Sequence, residues 1–121
     1  MICNCGYTGS YIKMAFDVTE AYDYLKKHGH VYTVRPSSGT VSARNVHLHK
    51  KSKWTKEIAH KEPIMDGQGK MFLKVAMKIC YYESGFDSVD AWMNKLIGMH
   101  GERVTTRNWV MYKVTLIENV R

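Results

Sequence analysis

Between Asp17 and Glu118 the spacing of apolar residues alternates between the period of a helix and that of a strand, and no other feature narrows the fold as much. Val18, Ala21, Tyr22 and Leu25 follow i, i+3, i+4, i+7, which makes one apolar stripe on a helix. Asp17 heads that segment with a capping-box spacing to Glu20. Lys26, Lys27 and His28 suit its negative end, and Gly29 supplies a left-handed stop. Val89, Trp92, Met93, Leu96 and Ile97 repeat the pattern behind Asp87-Ser88-Val89-Asp90, with Gly101 closing it.

The strand period governs most of the remainder. His30 to Arg35 is rich in β-branched and aromatic residues and stops at Pro36. Ser37-Ser38-Gly39 reads as a turn into a second strand over Val41 to Leu48, with Arg44, Val46 and Leu48 on one face. Asp66-Gly67-Gln68-Gly69 reads as another turn. Lys70 to Tyr82 then reads as the longest strand, with Met71, Leu73, Val75, Met77 and Ile79 on its apolar side and Lys74 and Lys78 on its wet side. Trp109 to Glu118 is the last strand, with Val110, Tyr112, Val114 and Leu116 aligned. Residues 50–62 fit neither period and suggest a basic loop or a short helical turn.

Strands with two inserted helices predict an α+β fold, a small mixed β-barrel with two flanking helices. A chain of 121 residues suits one domain that folds without disulfide or metal. Gly6, Gly9 and Ser10 make residues 1–13 an irregular N-terminal segment, leaving 14–121 as the domain. Cys3, Cys5 and Cys80 are odd in number, and no secretory leader is evident, so reduced thiols and a cytoplasmic location are expected. No apolar run approaches the roughly 18 residues of a membrane span, so no membrane partner is expected. The sequence leaves the oligomeric state open.

Charge points to a partner. Lys plus Arg number 18 against 11 acidic residues, a formal +7, which favours encounter with polyanions. The densest cationic stretch is Arg44, Lys50, Lys51, Lys53 and Lys56, interleaved with Trp54. Cations neutralise phosphates and a ring stacks on a base, the combination that single-stranded nucleic acid requires. The competing view has Trp54 anchoring a loop, with the lysines merely solvated. Arg35 closes a strand beside Pro36, where a guanidinium can fork onto a phosphate or carboxylate, or serve a structural ion pair. Arg103 and Arg107 flank Thr105 and Thr106 and extend a basic rim.

Other chemistries find less support. Cys3-x-Cys5 is tighter than the usual zinc spacing, and nothing fixes it beside His28-x-His30 or His47-x-His49, so neither metal nor cofactor is expected. Gly67-x-Gly69-Lys70 lacks two features of a phosphate-binding loop, with Ile64 in place of the first glycine and Met71 in place of Ser/Thr. It also precedes an expected strand. Cys80, inside that strand, reads as a small core residue before a nucleophile.

The helix ending at Gly29 and feeding a strand that finishes at Arg35 resembles the ASCH group of the PUA-like superfamily. So does Ser84-Gly85-Phe86-Asp87-Ser88-Val89-Asp90-Ala91-Trp92, as a Gly-Phe-x-Ser-x-x-x-Trp/Phe segment between a long strand and the second helix. The resemblance covers roughly Asp17 to Glu118. It implies a small pseudo-barrel whose cleft binds RNA or modified nucleosides, with hydrolases among its relatives. The group's Gly-x-Lys-x-x-Glu-x-Arg motif is matched here only by Gly29 and Arg35, one residue short, with Val31 and Thr33 where Lys and Glu belong. Acid–base chemistry needs a titratable group at the substrate. The expectation is therefore a non-catalytic module for RNA or a nucleotide-containing ligand. A small hydrolase using Glu20, Glu57 or Glu62, and a protein-interaction domain built around Trp54, are the alternatives.

Overall fold

The computed structural model describes residues 12–37, 41–51 and 53–117. Cys3, Cys5, most of the irregular N-terminal segment and the tip of the Ser37–Gly39 turn lie outside the described residues. Strand β1 (Ile12–Ala15) takes in two residues that the sequence assigns to that irregular segment, and leads to helix α1 (Thr19–His28). Ala21, Tyr22 and Leu25 are buried, as the spacing predicts, and Gly29 stops the helix at φ 84° with its N–H on the Leu25 carbonyl. The expected capping box is not formed. Val18 is the N-cap without a side-chain cap, and the Asp17 carboxylate accepts the Lys51 N–H at 2.6 Å instead.

Strands β2 (His30–Pro36), β3 (Arg44–Lys50), β4 (Lys53–Gln68) and β5 (Asn108–Leu116) complete a five-stranded sheet of order β1-β3-β4-β5-β2. The β1–β3 pair is parallel and the others are antiparallel. β4 corrects two expectations. Residues 53–62 are strand, not loop or helical turn, and Asp66 to Gln68 are its paired end, not a turn. Pro63 is tolerated inside β4 because pairing with β3 reaches only to Lys61, and a register shift follows between Pro63 and Met65.

The largest correction concerns residues 70–82. They form helix α2 (Gly69–Cys80) and a 3-10 turn (Tyr81–Glu83). Apolar residues there satisfy both periods, and burial selects the helical one. Leu73, Ala76, Met77 and Cys80 are buried, whereas Met71, Val75 and Ile79 are 81%, 57% and 64% exposed. Gly67-x-Gly69-Lys70 thus does precede a helix, although its residue mismatches with a phosphate-binding loop stand. Helix α3 (Val89–His100) is N-capped by Ser88, whose hydroxyl accepts the Ala91 N–H at 3.0 Å. Among the described residues three α-helices therefore flank the sheet, one more than expected.

α1 covers one face of the sheet, over Met14, Val31, Val46, Leu48, Ala59, Val110, Tyr112 and Val114. α2 and α3 cover the other, over Val34, Trp109 and Met111. Both faces of β5 are therefore dry from Trp109 to Tyr112, whereas Lys113 is partly exposed and Thr115 exposed.

The architecture is α+β with an open five-stranded sheet. Among the described residues no ladder joins the edge strands β1 and β2, so the closed barrel expected from sequence is not formed by hydrogen bonding. The sheet nevertheless rolls. Through the ladders, Ala15 aligns with Trp54 of β4, and Arg35 with Asp66. Those two β4 positions are on the order of 40 Å apart along an extended strand. Yet the Arg35 guanidinium lies 4.9 Å from the centre of the Phe16 ring, just beyond Ala15. Twist and tilt bring the two edges together there. Among the described residues, no helix is long and apolar enough to cross a membrane.

Candidate functional site

A cavity of about 170 Å³ opens where those edges meet. Its walls come from the β1–α1 junction, from β2 between Tyr32 and Pro36, and from Phe86 and α3. The volume resembles that of a roughly 150 Å³ cavity able to hold benzene, so one planar ring fits.

Arg35 is the central cation. It is half-buried, and its guanidinium rests on Phe16. Burial pulls it down to about 10, against an opposing pull from Asp17 and Tyr112, so it stays charged at neutral pH. Among the described residues the only ion pair is His30 with Glu83, so no carboxylate oxygen lies within 4.0 Å of Arg35. The structural ion pair entertained for this residue is therefore not formed there. A cation held by an arene keeps its planar fork for an incoming anion.

His100 closes the same cavity. Its ring meets Trp109 edge-on at 5.1 Å. Burial pulls its pKa below the ordinary histidine value, and Arg107, Arg103 and Arg35 push the same way. Three arginines singled out from the sequence thus lie within electrostatic reach of one imidazole. The 3-10 turn Gly101–Thr105 and the residues after it are well anchored. The Arg107 carbonyl accepts the Gly69 N–H at 3.0 Å, the Thr106 carbonyl accepts Gln68 Nε2 at 3.0 Å, and the Val104 carbonyl accepts Trp109 Nε1 at 3.3 Å.

The Ser84–Trp92 segment builds another wall. Buried Ser84 donates to the Tyr81 carbonyl at 2.7 Å and accepts the Phe86 N–H at 3.1 Å. Gly85 has φ 90°, and a Cβ there would fall 2.2 Å from the Glu20 carbonyl oxygen. Only glycine allows this corner to press on α1. Phe86 and Trp92 then lie parallel, 6.0 Å apart. This segment follows a helix, however, and not the strand on which the ASCH resemblance relied.

The β3–β4 hairpin approaches the pocket through Asp17, which lines the cavity and accepts the Lys51 N–H. Lys50 Nζ sits 4.6 Å over the Tyr22 ring, and Lys53 pairs with Lys50 across the hairpin. Trp54 is half-buried, stacked on buried His47 at 4.4 Å and edge-on to His49 at 5.0 Å. One face of its ring is already used in packing. Exposed Arg44 pairs with Lys61 across β3–β4, and burial, Arg44 and Arg35 together pull Lys61 downward. Lys56 stands apart, in a separate groove with His28 and Lys113.

The structure places Arg35 on the pocket wall and leaves Arg103 and Arg107 off it, within electrostatic reach of His100 only. It links Arg44 through Lys61 and the hairpin lysines through Asp17, and leaves Lys56 elsewhere. Phe16, Trp92, Lys95 and His100 also line the cavity, and sequence reasoning missed them as site residues. They come from separate segments, and no local spacing connects them.

Glu20, Glu57 and Glu62 do not line the cavity. Glu57 instead accepts the Tyr22 hydroxyl. Its titratable groups beside Arg35 and Tyr32 are Asp17, Lys95 and His100. Cys80 is buried at the end of α2, and burial pushes its thiol up, with Glu83 adding to the effect. His47 Nε2 engages the Thr55 carbonyl at 2.7 Å and His30 Nε2 engages Glu83. Among the described residues no group of three or more His, Cys, Asp or Glu is placed to hold a metal ion. No family model, curated protein or solved structure matches the chain.

Proposed function

We propose that this chain is a PUA-like module of the ASCH type that binds RNA or a nucleotide-containing ligand in the cytoplasm without transforming it. The observation that carries the reading is the cavity at Arg35, where a guanidinium with no carboxylate within 4.0 Å among the described residues sits beside aromatic rings. A planar base suits the Phe16, Phe86 and Trp92 walls, and a phosphate suits Arg35 and the Arg103–Arg107 rim. The rolled sheet, with adjoining edges, supports a barrel-like relationship. Lys50, Lys51 and Lys53 extend the cationic track along the hairpin.

Fluorescence of the chain during titration with nucleoside monophosphates and short single-stranded RNA tests this. Trp92 lines the cavity, so a bound base quenches emission. Binding at low salt that Arg35→Met weakens by about tenfold or more fits the proposal, since losing a charge-assisted fork is worth about 1.5–3 kcal/mol. No quenching and no binding by either ligand class refutes it.

A hydrolase acting on a modified nucleoside or RNA is the second reading. It is favoured by the presence of Asp17, Lys95 and His100 on the walls of the one cavity. Product release from a panel of modified nucleosides or RNA, abolished by Asp17→Asn, selects it over simple binding.

A further inference from the structure

We propose that the outward ridge of α2 docks an acidic amphipathic helix of a partner protein. Met71, Val75 and Ile79 recur every four residues along α2 with 81%, 57% and 64% of their surface exposed, and Tyr82 follows at 75%. Together they form a patch on the order of 500 Å², a size that marks interaction sites on soluble proteins. A row at i, i+4, i+8 is the ridge that packs into the groove of another helix, and methionine adapts to the partner's shape. Lys70, Lys74 and Lys78 run beside it at the same spacing, all exposed.

The lysine row has no local purpose. The first turn of α2 holds no acidic residue and begins with Lys70, a charge that opposes the helix dipole. Among the described residues, none of the three lysines has a carboxylate within 4.0 Å. The two rows together select an occupant with acids alongside an apolar stripe.

A second copy of this chain is disfavoured. Its own lysine row and its +7 charge repel, and the patch falls short of the roughly 800 Å² per partner of a stable dimer. A membrane surface is disfavoured because the apolar ridge is narrow and its lysines flank one side only, whereas an interfacial helix presents a broad apolar face. No α2 residue lines the cavity at Arg35, so this inference stands apart from the function proposed for that pocket.

The test uses the full chain and a fluorescein-labelled peptide of about 18 residues, long enough to be helical, with leucines at i, i+4 spacing and glutamates beside them. Its control carries lysine for every glutamate. Anisotropy at low salt is expected to show saturable binding of the acidic peptide and none of the control. Val75→Glu should weaken binding at least about tenfold, because a carboxylate held in an apolar contact costs more than the corresponding 1.4 kcal/mol or so. Lys74→Glu/Lys78→Glu should reverse the preference between the peptides, with circular dichroism unchanged. Equal binding of both peptides, no binding of either, or an unchanged preference in the charge-reversed variant overturns the proposal. So does Val75-dependent sedimentation with phosphatidylserine vesicles, which assigns the ridge to lipid. A Val75-dependent dimer in the ultracentrifuge likewise overturns it and assigns the ridge to a second copy.

Discussion

Replacing Arg35 with methionine should make the fold more stable while weakening ligand binding. Burial lowers the guanidinium pKa from its ordinary value to about 10. At about 1.4 kcal/mol for each factor of ten in protonation, holding Arg35 charged costs the native state roughly 3 kcal/mol. That penalty is present in full below about pH 10 and fades above it, as the native state loses the proton before the unfolded chain does. Contact with Phe16 at 4.9 Å returns about 1 kcal/mol. Methionine matches the aliphatic stem and carries no charge, so the net gain is about 1–2 kcal/mol. For a domain of this size that raises the melting temperature by about 5 °C. Urea unfolding followed by tryptophan emission measures the stability, and anisotropy with labelled single-stranded RNA measures the binding. A residue that destabilises the fold yet is needed for a ligand is functional. If Arg35→Met instead loses more than about 1 kcal/mol, the guanidinium is structural and the reasoning fails.

Three further outcomes follow from the geometry. Leu73→Ala should cost about 2–5 kcal/mol in urea unfolding and Val75→Ala less than about 0.5, whereas a strand over the same residues would put both on one face. Trp54→Ala should cost about 1–2 kcal/mol of stability through the lost His47 stack, and should reduce RNA affinity less than Arg35→Met does. His100 is held below its ordinary 6.5, so as the pH falls the unfolded chain takes up this proton before the native one. Stability should therefore fall below about pH 6.5, with no penalty above it, and His100→Gln should flatten that part of the profile. An anion in the pocket favours the imidazolium, so ligand affinity should rise as the pH falls below about 6.5, a trend absent from the same variant.

Both helices with clear caps were legible in the sequence. Gly29 sits where a left-handed stop is required, and the second helix begins within the expected Asp87–Asp90 head, with Ser88 as its cap. β2 and β5 were also legible, because β-branched and aromatic residues dominate them, and β3 in part, from Val46 and Leu48, although it begins at Arg44 and not at Val41. α2 was not. Its apolar residues at 71, 73, 75, 77 and 79 mimic a strand, and only packing against Trp92, Leu96 and Met111 decides that Val75 points outward. β4 was hidden for the opposite reason. Its basic first half pairs with β3 and its second half with β5, so neither half shows a single continuous apolar face. Of the cavity's lining, the sequence marked only Arg35 as a site residue. Phe16 follows a strand, Trp92 reads as helix core and His100 as a helix end, and only the rolling of the sheet makes them neighbours.

The central claim is that the pocket at Arg35 binds a nucleotide-containing chain through its cations. Anisotropy of a labelled single-stranded RNA over a salt series tests it most directly. With about five cations on phosphate, the log–log slope of affinity against salt should be near −3.5. Arg35→Met and Arg103→Ala should each make the slope shallower by about 0.7. A flat response, or binding that Arg35→Met leaves unchanged in both affinity and slope, contradicts the claim.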